Sequence, residues 1–134
     1  MRLEKVKKDI HGIVPVMITP FHEDGDIDWD GLENLIEWYI AHGAQALFAV
    51  CQSSEMQFLS LAERRDLAIF TAKQVAGRIS VLASGHVSDD PSEQLRELSV
   101  MADTGIDCLV MVSNRLDPEK AGGDQLRDAI DGLK

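Results

Sequence analysis

The 134-residue chain is 45% hydrophobic and 27% charged, which suits one globular domain with a core and excludes a disordered tail. Its formal net charge of −10 argues against nucleic acid, whose phosphates need Lys and Arg patches, and only Arg2–Lys8 is basic. No apolar run approaches the roughly 20 residues that span a bilayer, the start lacks a signal-peptide apolar region, and Cys51 and Cys108 make no disulfide framework, so a reduced, cytoplasmic setting is the expectation.

Along the chain, strands alternate with helices. Ile13–Ile18 (IVPVMI) reads as a buried strand, and Asp28–His42 as an amphipathic helix with Leu32, Leu35, Ile36, Tyr39 and Ile40 at helical spacing, stopped by Gly43. Ala46–Val50 is the second strand. Ser60–Glu63 has capping-box spacing and opens a helix to about Ala76, with Gly77 behind it. Ile79–Ala83 is the third strand. Asp90 and Pro91 start the next helix, with Leu95, Leu98 and Ala102 on its inner face and Gly105 closing it. Asp107–Val112 is the fourth strand and Gly123–Leu133 the fourth helix.

Four βα units of roughly 30 residues imply a parallel sheet with right-handed crossovers. The second to fourth strands are almost continuously apolar, the pattern of strands covered on both faces. Two architectures fit: a small doubly wound α/β domain, or half of a (β/α)8 barrel, whose full form needs roughly 250 residues. Pattern alone favours the small complete domain, which would be a non-enzymatic binding or regulatory module. A phosphoacceptor domain of that kind wants an acidic pair after the first strand, where Thr19-Pro20-Phe21 stands instead.

The segment Ala44–Arg65 carries most functional information. An apolar strand stops at Cys51-Gln52-Ser53-Ser54-Glu55 and a capped helix follows, the place where parallel α/β proteins bind ligands. Asp26–Glu37 matches the calcium-loop pattern D-x-D-x-D-G-x5-E, but two prolines and a strand precede it where an entering helix is required, so no metal is expected. Cys51 reads as a small residue at a strand end, since spacing sets no base beside it. His22 and His86 follow strands and read as solvated loop residues, and Trp29, Trp38 and Phe70 as helix packing residues.

Specific residues then point to the barrel. Thr19-Pro20-Phe21, Asp24-Gly25 and Asp28 resemble the first strand and loop of the dihydrodipicolinate synthase / N-acetylneuraminate lyase family. Cys51–Glu55 lies where that family has G-T-T-G-E, and Leu59–Arg64 (LSLAER) resembles its L-S-x-E-E-R. Ala102, then Gly105-Ile106-Asp107, resembles its Ala…Gly-Ala-Asp run. The resemblance extends from Gly12 to Val112. It implies the first four strands and helices of a (β/α)8 TIM barrel, with 1–134 a single partial domain. It implies a class I pyruvate-dependent aldolase or lyase, in which a lysine on the sixth strand forms a Schiff base with a small 2-oxo acid and no cofactor is needed.

By the same resemblance Gln52, Ser53 and Ser54 are the carboxylate-binding residues, with glutamine and serine replacing the two threonines and Ser54 the second glycine, where the backbone wants a positive φ. Glu55 would brace the loop. The family's P-x-Y lies around Ser113–Leu116, which has no tyrosine. No lysine here follows a strand: Lys5, Lys7 and Lys8 precede the first, Lys73 is mid-helix, Lys120 in a loop and Lys134 terminal. The expectation is an isolated chain with no catalytic residue, inactive alone, that covers its open edges by homo-oligomerisation.

Overall fold

The computed structural model describes residues 9–119 and 122–133, so the basic stretch Arg2–Lys8 and the lysines Lys120 and Lys134 lie outside the described residues. Helix α1 (Trp29–Ala41) starts where the Asp28 carboxylate accepts from the Gly31 amide at 2.8 Å, and it buries Leu32 and Ile36. Helix α2 (Leu61–Val75) carries both bonds of the capping box: Glu63 N–H donates to Ser60 Oγ at 3.2 Å and Ser60 N–H to Glu63 Oε2 at 2.7 Å. The Ser60 backbone N–H, and after it the Ser60 hydroxyl, hold the Glu63 carboxyl below its ordinary pKa. Helix α3 (Pro91–Ala102) begins with Asp90 Oδ1 accepting from the Ser92 and Glu93 amides, both at 3.0 Å.

Strands β1 (Ala46–Val50), β2 (Ser80–Ala83) and β3 (Cys108–Leu109) form a parallel sheet in the order β1-β2-β3. The expected first strand, Ile13–Ile18, lies along the free edge of β1. Gln45 N–H donates to Ile13 O (2.9 Å), Phe48 N–H to Pro15 O (3.0 Å) and Met17 N–H to Phe48 O (3.0 Å). Only Val16 and Phe48 form a bridge, because Pro15 has no N–H to give to the ladder. The expected strand Asp107–Val112 shortens to two residues, although Val110 N–H still donates to Ala83 O at 2.8 Å. A one-turn helix α4 (Ser113–Leu116) follows, and α5 (Gly123–Gly132) ends the described chain. A 3-10 turn at Met56–Phe58 follows the CQSSE loop.

The sheet order corrects the doubly wound alternative. Four chain segments lie side by side in sequence order with no reversal, and a doubly wound sheet requires one. The helices follow the same sequence: α1 packs on α2, α2 on α3, and α2 covers β1 and β2. Beneath that layer Leu47, Ala49, Val81 and Ala83 are buried with Leu32, Ile36, Leu67, Ala68 and Met101.

The other face differs. Val16, Phe48, Leu82 and Cys108 are register partners across the four segments, so their side chains share one face. All four are at least partly exposed, and Val16 keeps 51% of its surface and Ile18 57%. The expectation of strands covered on both faces therefore holds for one face only among the described residues. The result is an arc of parallel strands with helices outside and an apolar concave face open.

Candidate functional site

At the carboxyl ends of these strands a cavity of about 360 Å³ opens on the concave face. Val16 and Phe48 form its apolar floor. Cys51, Gln52 and Ser53 form one wall, and Val110, Met111, Val112 and Ser113 the other. The register shift between Phe48 and Val50 lies directly beneath the first wall, a common device for re-aiming residues next to a site.

Ser54 does not join Gln52 and Ser53 at the cavity. It is fully buried; its hydroxyl donates to Cys51 O and accepts from Cys51 N–H, both at 2.7 Å, and so folds the loop on itself. Its carbonyl accepts from the Thr19 hydroxyl at 2.9 Å, a buried bond that ties the Thr19-Pro20-Phe21 turn to the loop. The positive backbone angle expected at Ser54 falls instead on Glu55, at φ 62°. Glu55 is exposed, and its carbonyl accepts from Phe58 N–H to start the 3-10 turn.

Cys51 is buried, with its thiol 3.7 Å from Phe48 O and 3.9 Å from Met17 O, contacts that suit a thiol donor. Burial and the neighbouring Asp107 push the Cys108 thiol pKa up, away from the thiolate form. Both cysteines are free thiols.

The two loop histidines part company. His22 is exposed, 3.8 Å from the Asp28 carboxylate that caps α1. His86, expected to be solvated, has no exposed surface, and its Nε2 accepts from Val112 N–H at 2.7 Å. It is held among polar groups that α3 turns inward. Glu97, buried at the α2–α3 interface, pairs with Arg64 Nη1 at 2.9 Å and accepts from the Val87 and Ser88 amides at 2.9 and 3.1 Å. Arg64 also donates to the Gly85 and Ser60 carbonyls. Gly85 has φ 83°, and a Cβ there would lie 2.6 Å from the Met101 side chain, so both backbone and space require glycine.

The calcium-loop pattern dissolves in this geometry. Asp24 Oδ1 caps a turn at Asp26 N–H, and Asp28 caps α1. Glu37 lies inside α1, bonded to Arg78 and Gln74, which in that order hold its pKa at about 2. Among the described residues the lysine is Lys73, which lines a shallow outer groove with Trp29 and Phe70, away from the cavity. Trp38, expected as a helix packing residue, is 54% exposed and stacks on His42 of the same helix end.

Spacing does not single out Val16, Phe48, His86 or Val110–Val112 as site residues; Thr19 and Ser113 stand out only through the family resemblance. The signal for the wall is its place: it follows the last strand as CQSSE follows the second, and ligands sit beyond the carboxyl ends of parallel strands.

Residues 9–119 match the Dihydrodipicolinate synthetase family. The 4-hydroxy-tetrahydrodipicolinate synthase of Psychrobacter arcticus is 32% identical over 110 residues, 82% of this chain and 36% of that protein. The 4-hydroxy-tetrahydrodipicolinate synthase structure from Methylacidiphilum fumariolicum superposes with a TM-score of 0.81 at 27% identity, over 93% of this chain and 40% of that one. The chloride-inhibited dihydrodipicolinate synthase of Acinetobacter baumannii, crystallised with pyruvate, gives 0.80 at 25% identity over 93% and 42%. The chain thus spans about two-fifths or less of the length of these relatives, and its arc is part of their TIM barrel. With the family match over residues 9–119, the arc of parallel strands and the cavity at its carboxyl rim, the chain belongs to the Dihydrodipicolinate synthetase family.

Proposed function

We propose that residues 1–134 form a single partial domain that supplies the carboxylate-binding side of a class I aldolase or lyase site for a small, pyruvate-like 2-oxo acid. The observation that carries this reading is the cavity itself: Gln52 and Ser53 stand on its wall at the end of β1, opposite Ser113. Ser53 can give a hydroxyl and the loop its backbone N–H groups, while Ser54 and Thr19 hold the loop in shape. The chemistry would need a neutral lysine amine to attack the 2-oxo carbon and expel water, forming a Schiff base. Among the described residues the lysine is Lys73, on the outer helical layer, which supports an amine supplied from outside the described arc. No cofactor enters such a reaction.

The two free thiols support a reducing, cytoplasmic setting. The open apolar face supports association, with a second copy of the chain as the simplest cover. Incubation of the 134-residue chain with pyruvate and borohydride, followed by intact mass measurement, tests the missing amine. Unmodified mass is expected, and a stable pyruvyl adduct would contradict the proposal.

A further inference from the structure

The cavity wall from Val110 to Ser113 is held at two points within it and a third just beyond it, in α4. Val110 N–H donates to Ala83 O at 2.8 Å, Val112 N–H to His86 Nε2 at 2.7 Å, and Gln94 Nε2 to Arg115 O at 2.8 Å. Of these three bonds only the middle one involves a group that titrates near neutral pH. A ring nitrogen that accepts a hydrogen bond carries no proton, so His86 is the neutral imidazole with its proton on Nδ1. Nδ1 has no hydrogen-bond partner among the described residues, and neither does the buried Ser84 hydroxyl two residues earlier.

We propose that His86 is a positioning residue for the cavity: its neutral imidazole holds the Val112 amide, and with it the wall facing Gln52 and Ser53, and protonation releases that wall. This rests on reading the cavity as the 2-oxo acid site. A protonated ring sets one N–H against another in a buried place, which removes the bond and leaves both donors, Val112 N–H and Nε2–H, unsatisfied. Charged groups bear on the ring from each packed helix: Glu97 of α3, Arg64 of α2 and Arg115 of α4. Burial lowers the ring's pKa most; Glu97 opposes that, and Arg115 and Arg64 add to it. The neutral, wall-holding form therefore prevails near neutral pH. It is lost only as pH falls below the ordinary histidine value of 6.5.

The direct test follows amide-exchange protection of Val112 with pH, beside the His86 ring nitrogen shifts and the β1 amides of Leu47 and Ala49 as an internal control for global opening. Val112 protection is expected to fall about tenfold as the ring protonates, the equivalent of one net hydrogen bond, while Leu47 and Ala49 stay protected. In His86→Gln, whose side-chain oxygen can still accept, Val112 protection is expected to persist through the same pH range. In His86→Ala it is expected to be low at every pH. Pyruvate affinity near neutral pH should weaken several-fold in His86→Ala and recover in His86→Gln.

Val112 protection that ignores the His86 titration in the wild-type chain would overturn the proposal, with no variant needed. If protection behaves as expected but pyruvate binds at no variant or wild type, the positioning role stands and the ligand reading fails.

Discussion

Arg64 and Glu97 put opposite charges where apolar side chains would ordinarily pack. Their side chains keep 6% and 7% of their surface, and Glu97 also satisfies the amides of Val87 and Ser88, directly after the cavity-holding His86. Removing one partner leaves the other charge buried and two amides without an acceptor. Glu97→Ala is therefore expected to lose about 3–5 kcal/mol in urea denaturation, far more than a surface substitution. Helical spacing predicts an inner face of Leu95, Leu98 and Ala102 for α3. It is Gln94, Glu97, Leu98 and Met101, with Ala102 exposed. Helical spacing counts apolar residues, and it cannot see that a glutamate is buried because an arginine 33 positions earlier meets it.

Elements with a local signal were legible almost to the residue. The strand Ala46–Val50 and the capped starts at Ser60 and Asp90 fall where the sequence sets them, because small polar caps and apolar runs act within a few residues. Elements that depend on neighbours were not. Ile13–Ile18 has strand composition, but Pro15 denies it a full ladder. The helix α4, a single turn of SNRL, is too short to show a period. Helix α2 ends on Ala76 in the left-handed region at φ 51°, with Gly77 only after it. Glycine accepts that conformation without a Cβ clash. Ala76→Gly is thus expected to stabilise the fold by roughly 0.5–1 kcal/mol in thermal or urea unfolding, against the usual loss for that change within a helix.

Over the whole molecule, four segments in sequence order make an arc whose outer face is closed by helices and whose inner face is open. Fold class was legible because the βα period and the family motifs run in one order. The uncovered face was not, since an apolar strand reads the same whether or not something covers it. The open face and two sheet edges are expected to drive association: light scattering should give a mass above that of one chain, and a monodisperse monomer would count against it.

The site was half legible. The CQSSE loop announced itself, but its partner wall and the buried His86 come from segments about 30 to 60 residues away that only the sheet brings together. The most direct measurement is a pyruvate titration of the isotope-labelled chain followed by amide NMR shifts. Saturable shifts at Gln52, Ser53 and Val110–Ser113 are the expected result. Absent shifts there, or shifts confined to the outer groove around Lys73, would contradict a 2-oxo acid site at the carboxyl rim of the arc.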